Sequence, residues 1–219
     1  MLFSLFTRKK PAAVAAPRPR PTLNGSRQAD RIALVGFHDK GFVIALPAEA
    51  HAPWLQERAV QLHKRLGGCT NLADGLAKGI DLLERTPRPY LRRIWLLSDG
   101  EPNVGVDRIW PTVARAKGAY INVNTIGFGD SFDGALLRRI ATGTHNGKFV
   151  SVQTLRELTK ALVAYADPKG SRGPRRPETT ALVIDLSGSM GGSMEGKSKV
   201  QVVEEAILHL LTYKQRMWS

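Results

Sequence analysis

Between Asp30 and Lys214, short and nearly unbroken apolar runs alternate with stretches whose apolar residues recur every three or four positions. No other feature restricts the fold so much. DRIALVGF (30–37) and FVIALP (42–47), separated by HDKG, predict a hairpin. RRIWLLSDG (92–100), YINVNTIGFG (120–129), KFVSV (148–152) and TTALVIDLS (179–187) predict four further strands. Helical spacing appears at 53–66, 72–85, 108–117, 133–142, 154–166 and 196–214. Strands that alternate with helices imply an α/β fold: an open, doubly wound, mostly parallel sheet with helices on both faces. The scarcity of polar residues inside the strands fits burial on both sides.

The order of these pieces is unusual. ETTALVIDLSGSMGGSMEG begins at Glu178 and runs a strand into an Asp-x-Ser-x-Ser loop before a helix. It looks like the opening of a fold, yet it follows all the other elements. A basic Pro/Gly segment, DPKGSRGPRRPE (167–178), separates it from them and reads as a linker. Residues 1–28 are rich in Pro and Ala, lack apolar periodicity and read as a disordered arm. The expected organisation is therefore one domain made from 29–166 and 179–219.

Three loops are loaded with short oxygen side chains. One is Asp185-Leu186-Ser187-Gly188-Ser189, one carries Thr70 within GGCTNL, and one carries Asp99 within LLSDGEPN. Carboxylates and hydroxyls are hard donors that suit Mg²⁺ or another hard divalent ion such as Mn²⁺ or Ca²⁺. Spacing by two in a turning loop aims alternate side chains at one point, and Gly188 is expected to relieve the bend. The five His residues are scattered, so no zinc cluster is suggested. In open parallel sheets, ligands bind beyond the carboxyl ends of strands, where Asp185 and Asp99 both stand.

These loops resemble the metal-ion-dependent adhesion site of von Willebrand factor type A domains. The resemblance covers roughly 29–166 and 179–219. It implies direct ligation of one divalent cation, usually Mg²⁺, by Ser187, Ser189 and Thr70. Asp185 and Asp99 would act directly or through water. It also implies a binding function in which a partner's Asp or Glu completes the coordination. In that family the Asp-x-Ser-x-Ser strand and its helix come first, so this order implies a circular permutation. About a dozen extended linker residues reach roughly 40 Å, enough to rejoin the pieces. Intramolecular closure is the simpler expectation. A strand-swapped oligomer and a truncated second copy are the alternatives. Intracellular relatives often work with AAA-type ATPases or in large assemblies, which makes such partners conceivable.

Charge offers a second reading. The formal net charge is +13, of which the six basic, acid-free positions in 1–28 supply nearly half. A basic arm and linker can attract nucleic acid or an anionic surface, with the metal then purely structural. No interleaved aromatics make a stacking platform. Catalysis is not expected. Ser189 lacks a Gly-x-Ser-x-Gly elbow, Gly67-Gly68 lacks the Gly-Lys-Ser/Thr ending of a phosphate loop, and Leu186-Ser187 stand where a phosphatase needs Asp-x-Asp. The single Cys69 rules out an internal disulfide, and no apolar stretch approaches the ~20 residues of a membrane span. A cytoplasmic protein is expected. Cys69 is expected as a small buried thiol, and Trp54, Trp95, Trp110 and Trp218 as core or packing residues. Met190 and Met194 read either as a partner-binding rim or as packing.

Overall fold

A computed structural model describes residues 29–87, 89–166 and 176–218 of the chain. The expected arm and most of the expected linker lie outside the described residues.

Six strands form one sheet. They are β1 (Arg31–Phe37), β2 (Gly41–Glu49), β3 (Leu91–Ser98), β4 (Asn122–Phe128), β5 (Phe149–Val152) and β6 (Glu178–Asp185). Their order is β2-β1-β6-β3-β4-β5. The hairpin pair β1–β2 is antiparallel, and every other neighbouring pair is parallel. A small separate hairpin, β7 (Ser193–Met194) with β8 (Lys197–Ser198), precedes the final helix.

β6 sits near the middle of the sheet, flanked by β1 and β3 of the same chain. All eight of its residues are buried. That explains the apolar run Ala181–Ile184 at its middle, because a strand covered on both faces has no solvent side there; its polar residues stand at its two ends. Alternate side chains feed two different cores. Leu182 and Ile184 join Leu34, Trp95 and Leu97 on one face. Ala181 and Val183 join Val35, Ile94 and Leu96 on the other.

The first core is covered by α1 (Pro53–Ala59), α5 (Leu155–Ala166) and α6 (Lys199–Trp218). The second is covered by α2 (Leu72–Glu84), α3 (Ile109–Gly118) and α4 (Gly134–Thr142). Local chemistry sets two of the helix starts. Asn71 caps α2 by accepting from the Asp74 N–H at 3.2 Å, and Asp133 caps α4 by accepting from the Leu136 N–H at 2.8 Å.

The helix expected over 53–66 is broken. α1 stops at Ala59, and only a 3₁₀ turn, Leu62–Arg65, follows. A tertiary partner explains this. The His63 N–H, which a continuous helix would donate to the Ala59 carbonyl, instead donates to Glu204 Oε1 of α6 at 3.0 Å. The expectation for Trp also needs correcting. Trp95 is core, but Trp54 is exposed, and Trp110 is an exposed ring lying 4.4 Å beneath the Arg139 guanidinium. The side chain of Trp218 lies outside the described residues.

Candidate metal centre

The register of β3 against β6 pairs Leu97 with Ile184. One step further along, Ser98 meets Asp185, and the Ser98 hydroxyl donates to Asp185 Oδ2 at 2.6 Å. The two strand ends thus deliver Asp185 and Asp99 side by side, as their sequence positions predict. Two contacts hold the 67–71 and 185–189 loops against the sheet and each other. The Gly67 N–H donates to the Leu186 carbonyl, and the Leu186 N–H donates to the Phe37 carbonyl, each at 2.8 Å.

From Asp185 a chain of hydrogen bonds crosses the crevice. The Ser187 N–H donates to Asp185 Oδ1 at 2.9 Å. Ser187 Oγ lies 2.9 Å from Ser189 Oγ, and the Ser189 hydroxyl donates to Asp99 Oδ1 at 2.7 Å. Thr70 comes to the same place: a Cβ built at Gly100 would stand 3.6 Å from Ser189 Oγ and 3.9 Å from Thr70 Oγ1. The structure therefore gathers all five residues singled out by sequence. Asp99, Asp185, Ser187 and Thr70 are buried, whereas Ser189 is exposed and opens the crevice to solvent.

Burial is the dominant electrostatic fact. It pushes the Asp185 carboxyl up to about 6, and the charge of Asp99 pushes the same way. The hydrogen bonds from Ser98 and Ser187 oppose that rise without cancelling it.

Three further residues belong to the site. Ser98 steadies Asp185. Asn103 clips two of the loops together, accepting from the Thr70 N–H at 2.9 Å while its own N–H donates to the Thr70 carbonyl at 3.1 Å. Lys199, the first residue of α6, places Nζ 2.6 Å from Asp99 Oδ2. Ser98 and Asn103 stand within the LLSDGEPN stretch that drew attention to Asp99. For Lys199 no sequence signal existed, since a lysine opening a helix reads as a solvated charge.

Several expectations need correction here. Gly188 is not in the left-handed region and begins a 3₁₀ turn. A Cβ there would meet nothing nearer than the Gly67 carbonyl oxygen at 3.5 Å, an ordinary contact, so the bend does not require glycine. Cys69 is half-buried rather than buried. A hydrogen bond to Asp39 raises its thiol above the ordinary range, disfavouring the reactive thiolate. Met190 is fully buried in the core and Met194 packs against it, which makes both packing residues.

The donor set fits a hard divalent cation: two carboxylates and three hydroxyls, with no thiol or imidazole among them. Among the described residues, no three His, Cys, Asp or Glu side chains cluster as metal ligands, so such a centre depends on its hydroxyls.

An open, doubly wound α/β sheet with an oxygen-lined crevice at its carboxyl edge defines the class of this protein. The family model of the von Willebrand factor type A domain matches residues 21–163, and the chain belongs to that family, whose domains generally mediate protein interactions. A solved structure described as an uncharacterized membrane spanning protein from Vibrio fischeri is similar at 23% identity, over 66% of this chain and 78% of that one, with a TM-score of 0.34. No curated protein matches the chain significantly. No helix among the described residues is long and apolar enough to cross a membrane.

Proposed function

We propose that this chain is a non-enzymatic, divalent-cation-dependent protein-binding module. Asp185, Ser187, Ser189, Thr70 and Asp99 hold the ion, with Mg²⁺ the first candidate. The observation that carries this reading is the unbroken contact from Asp185 through Ser187 and Ser189 to Asp99. It brings hard donors from separate segments to one solvent-open point. When bound, the cation supplies a Lewis-acidic position for a carboxylate from a partner's Asp or Glu. The chain's own residues preorganise that point: Ser98 and Asn103 fix the loops, and the buried surroundings strengthen any charge interaction made there.

The same reading treats the chain as a circular permutant of its family. Its support is that the family match ends at residue 163, while β6 and α6, which lie beyond it, supply a central strand and a covering helix.

The test compares capture of a partner from the native cell in Mg²⁺ and in EDTA, using wild type and Asp185→Ala. Capture that needs Mg²⁺ and is lost in the variant is the expected result. Equal capture in all arms overturns the reading. A purified-protein control accompanies it: Mg²⁺ at 100 times its Kd stabilises the wild type by about 2.7 kcal/mol, whereas the melting temperature of Asp185→Ala should not respond.

A further inference from the structure

Lys199 is placed to act on the cation itself. Its ammonium contacts Asp99 Oδ2 at 2.6 Å, and the other Asp99 oxygen is occupied by Ser189. The Asp99 carboxylate is fully buried, and the Lys199 side chain is only 15% exposed. Room for the lysine stem is built into the backbone. A Cβ at Gly129, whose φ of 85° already favours glycine, would stand 3.3 Å from both Cε and Nζ of Lys199. One at Gly192 would stand 3.9 Å from Cε. The Lys199 N–H is anchored to the Gly192 carbonyl at 2.8 Å, which fixes where the side chain starts.

The charges explain what such a contact does. Asp99 and Asp185 bring two acidic groups into a buried crevice, and the Lys199 ammonium is held against the first of them. A divalent ion entering between the carboxylates meets a positive charge already held by one of them. Both cannot keep full hold of the same Asp99 oxygen.

We propose that Lys199 is an internal competitor for the cation site, a tethered ammonium that neutralises Asp99 when no divalent ion is present and must release it when one binds. This rests on the metal-binding reading above. Its consequence is a domain that keeps its buried carboxylate paired without metal, yet holds the metal more weakly than its oxygens alone would. Occupancy then responds to cation concentration rather than being permanent.

Mn²⁺ titration of the full chain, followed by electron paramagnetic resonance, tests this alongside melting in EDTA. Lys199→Met should bind Mn²⁺ at least tenfold more tightly than wild type. In EDTA it should melt lower, because Asp99 is left buried and unpaired. Lys199→Arg, which keeps the charge, should not gain affinity. Lys199→Gln serves the same purpose as the methionine variant should that one fail to fold. If wild type binds one Mn²⁺ that Asp185→Ala loses, but Lys199→Met and Lys199→Gln bind no tighter, the competition is wrong and the metal site stands. If neither the wild type nor these Lys199 variants bind Mn²⁺, both fall together.

Discussion

A carboxylic acid buried as deeply as Asp185 resists ionisation, and its pKa is pushed up to about 6 from the ordinary 3.8. A group raised in this way adds stability below its unfolded value and withdraws it as pH climbs through the folded one. In EDTA, Asp185→Asn, which mimics the neutral acid, should match wild type near pH 4. It should become progressively more stable than wild type up to pH 7, by at most about 3 kcal/mol. Saturating Mg²⁺ should reverse the order at pH 7, because only the ionised carboxylate attracts the ion. Melting temperatures of both proteins across pH 4–7 check this, and a difference that stays flat in EDTA would exclude it. At this scale the sequence was readable for a physical reason: short polar side chains directly after apolar strands have nowhere to go except the crevice. Lys199 was unreadable because its significance comes entirely from the start of α6 lying beside the loop that follows β3, 100 residues earlier.

Among the elements, α2 packs tightly against the sheet, and two glycines make room for it. A Cβ at Gly75 would lie 2.5 Å from Phe37 Cδ1, and one at Gly79 would lie 2.7 Å from Val183 Cγ2. In an unconstrained helix Gly→Ala gains roughly 1 kcal/mol. Here the stiff Val183 methyl cannot yield, so Gly79→Ala is expected to destabilise by about 1–3 kcal/mol, measured by urea unfolding. Helix propensity alone predicts the opposite sign. The elements themselves were largely legible, since alternating apolar runs and helical periods report burial on two faces or on one. What sequence missed was a break imposed from outside. Glu204 interrupts the helix after α1, and it stands 141 residues beyond the His63 whose N–H it takes. The β7–β8 hairpin also escaped notice, being only two residues on each side.

Over the whole molecule, the end of the sheet opposite the candidate centre is tied by a buried ionic cluster. Lys214 near the end of α6 donates to Asp30 at 2.6 Å and to Glu178 at 3.2 Å, while Arg93 of β3 pairs with Glu178 at 3.1 Å. The Glu178 N–H donates to Asp30 at 2.9 Å. The residue before β1, the first residue of β6 and the last turns of α6 are joined in one place. Removing one member leaves a buried charge without compensation, so Lys214→Met should cost about 3–5 kcal/mol in chemical denaturation. Reversing that loss with Asp30→Asn in the same chain would show that charge, not shape, is responsible. The central position of β6 carries a further consequence for manufacture. Ser98 and Asp185 touch across 87 residues of intervening sequence. At roughly 5–20 residues per second, a ribosome takes about 4–17 s to go from one to the other. Throughout that interval β1 and β3 lack the strand that each of them pairs with in the finished sheet, so the order of synthesis delays the joining of its two halves.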